Sequence, residues 1–239
     1  MKKTILAIIP ARGGSKGVIN KNLQPLLSQP LLNWTIEAAK GAALVDRVVV
    51  SSDSEEIKDV ALTAGADVPF LRPPELAHDS VHSSKVITHA LDWLEANENY
   101  APDIVVMLLP TSPFRQSSHI NDALNTMLNN EDIPAVIGVN QVNKHPAAFR
   151  LIQHNCLTPL IQADNLNVQR QEAGDLYAVN GSIYIIGVPL FREKLTFHVE
   201  GAAPYVLPKL NSLDIDSWED FRIAEVLGEK FIVNKPELS

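Results

Sequence analysis

Arg12, Gly13, Gly14, Ser15, Lys16, Lys21 and Asn22 fall within one short stretch, "ARGGSKGVINKN", just after an apolar run that ends at Pro10. These residue types suit an anion. Paired glycines let backbone N–H groups turn inward into a nest. Arg12 offers a planar fork of donors, and Lys16 and Lys21 are point charges. The spacing fits neither a Walker A loop nor a dinucleotide-binding Gly-x-Gly-x-x-Gly. The expectation is therefore a phosphate-binding turn of another kind, with a solvated basic turn as the plain alternative. Far along the chain, "LDID" sets Asp214 and Asp216 two residues apart. In a strand they share one side while Leu213 and Ile215 face the core. Two close carboxylates repel unless a cation lies between them, and magnesium takes such a pair together with phosphate oxygens and water. Alone, the pair reads as a helix cap and a salt bridge. Beside a phosphate loop it reads as a magnesium site for a nucleoside triphosphate.

Three other stretches carry polar groups at turns. In "LRPPELAHDSVHSS" (71–84) Arg72 precedes a rigid Pro-Pro turn and Ser83 opens a helix. Arginine and serine there could read a base edge, although serine at a helix start is more often a cap. His78 and His82 lie four apart without a third ligand and read as solvated histidines, not zinc ligands. In "LLPTSPFR" (108–115) two prolines fix a turn that carries Thr111, Ser112 and Arg115. Arg170, Asn180 and Tyr184, in "QRQ" and "VNGSIYI", could meet a carboxylate or a hydroxyl-rich ligand. Cys156 has no evident triad partner and is not a proposed nucleophile.

The elements that must position these residues alternate from the start. Strands are expected at 4–10, 46–52, 66–71, 103–109, 134–139 and 177–188, and helices at 30–42, 51–65, 83–97 and 117–129. A closing strand then turns into a helix over 213–228, with Ser217 as its cap. This order predicts an α/β fold, a mainly parallel central sheet with helices on both faces, whose ligands bind beyond the carboxyl ends of the strands. Residues 140–175 break the pattern and read as a hairpin arm, a lid or a partner-binding extension. The 239 residues suffice for one large domain. A net charge of −8 disfavours nucleic acid as a partner. No apolar run is long enough for a membrane span, and "MKKTILAIIP" lacks the cleavage pattern of a signal peptide. A single cysteine allows no internal disulfide and fits a reducing, cytoplasmic setting.

Together these stretches resemble the acylneuraminate cytidylyltransferase family, the CMP-sialic acid synthetases, over about 5–228. The resemblance rests on "ARGGSKG" with "KN" at 21–22, "VSSD" at 50–53, "RPPELAHD" at 72–79, "PTSPFR" at 110–115, "RQ" at 170–171, "NGSIYI" at 180–185 and "DID" at 214–216. It implies a Rossmann-like nucleotidyltransferase fold, formed by 1–139 and 179–239 with 140–178 inserted as a dimerisation arm. It also implies CTP and a nonulosonic acid as substrates, magnesium as cofactor and a homodimer. By the same resemblance Arg12, Gly13, Gly14, Ser15, Lys16, Lys21 and Asn22 hold the triphosphate, and Arg72 and Ser83 lie at the cytosine and ribose. Asp214 and Asp216 hold magnesium, with Asp216 a candidate to assist deprotonation of the attacking hydroxyl. Arg170, Asn180 and Tyr184 bind the sugar acid. Two positions depart from the sialic acid pattern. Leu109 stands where Gln commonly precedes "PTSP", and Ala178 where Arg often precedes the Asn-Gly pair. Both changes remove polarity on the sugar side, which favours a legionaminic- or pseudaminic-type acid. The alternatives are a 3-deoxy-octulosonate cytidylyltransferase, whose opening loop reads differently, and a CTP- or CMP-sugar-binding protein without turnover.

Overall fold

The computed structural model describes residues 2–15, 17–143, 148–160 and 175–233. In chain order the strands are β1 (Ile5–Pro10), β2 (Pro25–Leu26), β3 (Gln29–Pro30), β4 (Arg47–Ser51), β5 (Ile104–Met107), β6 (Ala135–Val142), β7 (Arg150–Gln153), β8 (Cys156–Pro159), β9 (Leu176–Gly187) and β10 (Ala203–Val206). The α-helices are α1 (Leu31–Lys40), α2 (Glu55–Thr63), α3 (Ser83–Glu98), α4 (Ser117–Leu128), α5 (Val188–Lys194) and α6 (Trp218–Gly228). Six strands form the central sheet in the order β10-β6-β9-β5-β1-β4. Only β9 runs antiparallel to its neighbours in it. The mainly parallel sheet expected from the alternation is thus present.

The layers follow from the period of two along each strand. Ile5, Ala7 and Ile9 of β1 point to one side, where Leu32 and Ile36 of α1, Ile57 of α2 and Leu124 of α4 cover them. Leu6 and Ile8 point to the other side, against Ile87, Leu91 and Leu94 of α3 and Phe191 of α5. A strand covered on both faces has no polar side, which is why "ILAIIP" is apolar throughout. A third, smaller cluster joins Val18, Leu26, Leu31 and Phe114 to Ile215, Phe221 and Ala224. It ties the loop after β1 to the segment that leads into α6.

Some expectations change. Residues 66–71 make only two isolated bridges, Val49 to Asp67 and Ser52 to Leu71. Residues 213–216 are not a strand of the sheet. They are a segment outside the ladder, tied to the turn after β5 by a backbone bond from Ile215 N–H to Thr111 O (2.9 Å). Within 140–175 the described residues include the hairpin β7–β8, whose turn residues His154 and Asn155 both have positive φ, as a two-residue hairpin turn requires. Helix α5 and edge strand β10 carry no signal strong enough to be read from the sequence.

The expected strand at 177–188 is present, but it is interrupted. The register between β6 and β9 jumps from Ile137 opposite Tyr184 to Val139 opposite Val179, so residues 180–183 bulge out of the ladder. Gly181 (φ 73°) supplies the turn, and Asn180 Oδ1 accepts from the Ser182 N–H (3.1 Å) and hydroxyl (2.6 Å). A bulge leaves backbone groups without ladder partners. Arg115, which is buried, donates to the freed Ser182 carbonyl (2.6 Å), to the Leu109 carbonyl (3.3 Å) and to the Thr35 hydroxyl (2.8 Å). Burial lowers its pKa to about 9. Replacing Arg115 with alanine removes a donor from three acceptors at once and leaves the buried Ser182 carbonyl without this partner. A loss of about 3 kcal/mol in urea unfolding is expected, with partial recovery in Arg115→Lys.

Candidate active site

The loop leaving β1 is anchored by groups on three elements. Buried Asn22 donates from Nδ2 to the Arg12 carbonyl (2.9 Å). Gly13 N–H donates to Asp53 (3.0 Å), and the same carboxylate oxygen receives the guanidinium of Arg72 (3.4 Å). Arg72 is itself buried, which lowers its pKa against the raising effect of Asp53. Arg12 is ion-paired with Asp79 and reaches the Ala77 carbonyl (3.4 Å). Neither Gly13 nor Gly14 has a positive φ. The nest expected there is therefore not formed on the Gly13 amide, which is committed to Asp53. Gly14 is exposed, with open space where a Cβ would stand, and Ser15 is half-buried beside it. Lys16 lies outside the described residues, as does Arg170.

Lys21 joins this loop to the paired aspartates. Its ammonium donates to the Ile215 carbonyl (2.6 Å) and to Asp216 (3.0 Å). Ile215 is fully buried while Asp214 and Asp216 on either side are exposed, so the outward alternation expected of "LDID" survives without a ladder. Behind the segment, Ser217 and Asp220 form a reciprocal capping box that starts α6. Gly17 packs so close that a Cβ there would lie 2.0 Å from the Asp216 carbonyl oxygen. The Asp214 pKa is raised, first because surrounding protein displaces water from a group that still keeps solvent access, then because Asp216 repels it. A hydrogen bond from Thr111 opposes both. The oxygen donors and the repulsion between two carboxylates fit a hard cation such as magnesium.

A cavity of about 500 Å³ lies on the α3 side of the sheet. Ser83, Leu109, Tyr184, Phe197 and His198 are among its walls. Burial, and then the charge of Asp214, raise the Tyr184 pKa. Ser83 is the first residue of α3 and not its cap, so capping does not engage its hydroxyl. The expected residues therefore form two groups, the loop with the aspartates and the walls of the cavity. Asn180 joins neither, because its side chain is buried and builds the bulge. Sequence reasoning missed Asp53 as the common anchor of Gly13 and Arg72, although "VSSD" contains it. It also missed Phe197 and His198, which stack on Tyr184 (5.6 and 5.8 Å between centroids) from a loop with no motif.

The sequence profile described as Cytidylyltransferase matches residues 6–195, and the chain belongs to that family. Within it, the chain is 36% identical over 230 residues to the N-acylneuraminate cytidylyltransferase of Escherichia coli, with 96% of this chain and 53% of that protein covered. The chain thus spans about half the length of that relative. It is also 36% identical to the CMP-N,N'-diacetyllegionaminic acid synthase of Legionella pneumophila, covering 94% of this chain and 96% of that one. The pseudaminic acid cytidylyltransferase of Campylobacter jejuni is 30% identical, with 93% and 95% covered. Among solved structures, a CMP:2-keto-3-deoxy-manno-octonic acid synthetase complexed with CTP shares the fold, with a TM-score of 0.69 at 15% identity, covering 95% of this chain and 98% of that one.

A raised carboxylate pKa has a defined sign. Between its ordinary pKa of 3.8 and the raised folded value, the folded state holds a proton that the unfolded state has lost, so stability falls as pH rises through that window. Asp214→Asn is therefore expected to match wild type in urea midpoint below about pH 4 and to equal or exceed it at pH 7. A Gly17→Ala variant is expected to displace Asp216 and cut turnover at least about tenfold, with circular dichroism unchanged.

Proposed function

We propose that the chain transfers a cytidylyl group from CTP to a 2-keto nonulosonic acid, releasing pyrophosphate and forming a CMP-sugar. The anomeric hydroxyl oxygen of the sugar acid bonds to the α-phosphorus, the bond from that phosphorus to the bridging oxygen of the β-phosphate breaks, and the hydroxyl proton passes to a carboxylate. The observation that carries the reading is Lys21. It ties the loop after β1 to Ile215 and Asp216, next to Asp214, and a cavity of acceptor size lies on the same sheet. Transfer at phosphorus needs alignment and charge neutralisation more than covalent help. Arg12, Lys16 and Lys21 are the cations for the triphosphate, with Asn22 positioning Arg12. Arg72 and Ser83 face the base and ribose. Asp216, exposed beside Lys21, takes the proton, and Arg170 and Tyr184 orient the sugar acid.

Asp214 and Asp216 would hold magnesium, which when bound supplies positive charge to the phosphate oxygens. The apolar Leu109 and the small Ala178 favour a less polar acid of the legionaminic or pseudaminic type, in line with the names of two relatives. Residues 140–178 serve as a dimerisation arm. Phe149, Leu151, Ile152, Leu157 and Leu160 are all exposed in its described part, and a second copy of the chain would cover them. No helix among the described residues is long and apolar enough to cross a membrane, and the lone cysteine suits a cytoplasmic enzyme.

The test is pyrophosphate release from CTP across N-acetylneuraminic, diacetyllegionaminic, pseudaminic and 3-deoxy-octulosonic acids. The expected outcome is turnover that needs added magnesium, is fastest with a legionaminic or pseudaminic acid, and falls about 100-fold or more in Asp216→Asn. Preference for N-acetylneuraminic acid would reject the sugar assignment. Tight CTP binding without release from any acceptor would reject the reaction.

A further inference from the structure

The acceptor cavity adjoins a second space. Lys85 and Leu195 line the cavity, and the same two residues line the second space, an open groove of about 590 Å³. Thr88 and His89 follow Lys85 on one face of α3, at the three- and four-residue spacing of helical neighbours, and Trp93 lies one turn further on. The groove thus follows the helix away from the carboxylates for about 10 Å. Its floor is firm and neutral. His89 and Trp93 both stack on Phe70, with centroids 4.8 and 5.3 Å away. Loss of hydration, and then the charge of Arg72, lower the His89 pKa, so the ring is uncharged at neutral pH. At the rim, Arg192 pairs with both Asp92 (2.5 Å) and Glu95 (2.7 Å). Leu195 stands where the two spaces meet. It is half exposed, and its φ of 52° is uncommon for a residue with a bulky side chain. That conformation is the left-handed C-cap that ends α5, with the Leu195 N–H donating to the Phe191 carbonyl.

We propose that this groove extends the acceptor site and takes the apolar tail of an N-acyl substituent longer than acetyl on the sugar acid. The inference rests on the reading of the first cavity as the acceptor site. The sugar ring and its amide stay in the first cavity, and the acyl chain passes Leu195 and lies along Thr88, His89 and Trp93. The open outer side sets no fixed chain length. Beyond Lys85 at the mouth the lining is largely apolar, which suits a hydrocarbon tail.

The wild-type enzyme is to be assayed with the acceptor that the panel selects, prepared in N-acetyl, N-butanoyl and N-hexanoyl forms. Each methylene fully withdrawn from water contributes up to about fourfold in affinity. Even partial burial along an open groove should lower KM about tenfold from acetyl to hexanoyl, with kcat within about twofold. Tryptophan emission should shift with the hexanoyl form and not the acetyl form, and the shift should vanish in Trp93→Phe. Thr88→Phe, which fills the groove, should erase the hexanoyl advantage and leave the acetyl KM within about twofold. A wild-type KM that is flat or rises with chain length would overturn the inference while leaving the cytidylyl-transfer reading intact, and so would an unchanged Trp93 signal. Absence of pyrophosphate release with every acceptor would remove both.

Discussion

The ammonium of Lys21 is the joint of this molecule. It is largely withdrawn from solvent, and a cation so placed must find oxygen partners. It finds them in Ile215 and Asp216, far away in sequence. The contact closes a loop from near one end of the chain onto a segment near the other, and the small cluster of Val18, Ile215 and Phe221 packs beneath it. Gly17 is the complement of that contact, since any side chain there would push the Asp216 backbone away. One electrostatic pairing and one absent side chain thus decide whether the basic loop and the two carboxylates form a single site.

Much of this was legible in the sequence where the pattern is local. The apolar run of β1, the core stripe of α3 and the Ser217 cap each express a rule that acts within a few residues, and each is present. The loop after β1 does lie against "LDID", through Lys21 and Gly17, while Arg12 of "ARGGSKG" pairs with Asp79 instead. Properties that depend on tertiary context were not legible. Nothing in "LDID" says that Ile215 bonds to Thr111 outside any ladder. Nothing in "VNGSIYI" says that Asn180 turns inward to shape a bulge, since a polar residue beside a glycine reads equally well as a ligand or a turn former. Phe197 and His198 reach Tyr184 by way of α5, a helix too short to announce itself.

The two halves of the site are built differently. On the loop side, charges are held by other charges and by buried amides, as in Asp53 between Gly13 and Arg72. On the cavity side, Leu109, Tyr184 and Phe197 give shape with little polarity. The bulge in β9 stands between them. Arg115 fixes its carbonyl and the Leu109 carbonyl from below, so the Leu109 wall and the bulge share one support. A rigid divider of this kind lets one side of a site vary in sequence without disturbing the other.

The pairing of Arg12 with Asp79 has a consequence for how any anion arrives. The guanidinium does not wait bare in water. It already has a carboxylate partner, on the same stretch that leads into His82 and Ser83. An anion that bound at Arg12 would trade places with Asp79, and would gain the difference between two ion pairs, not the whole of one.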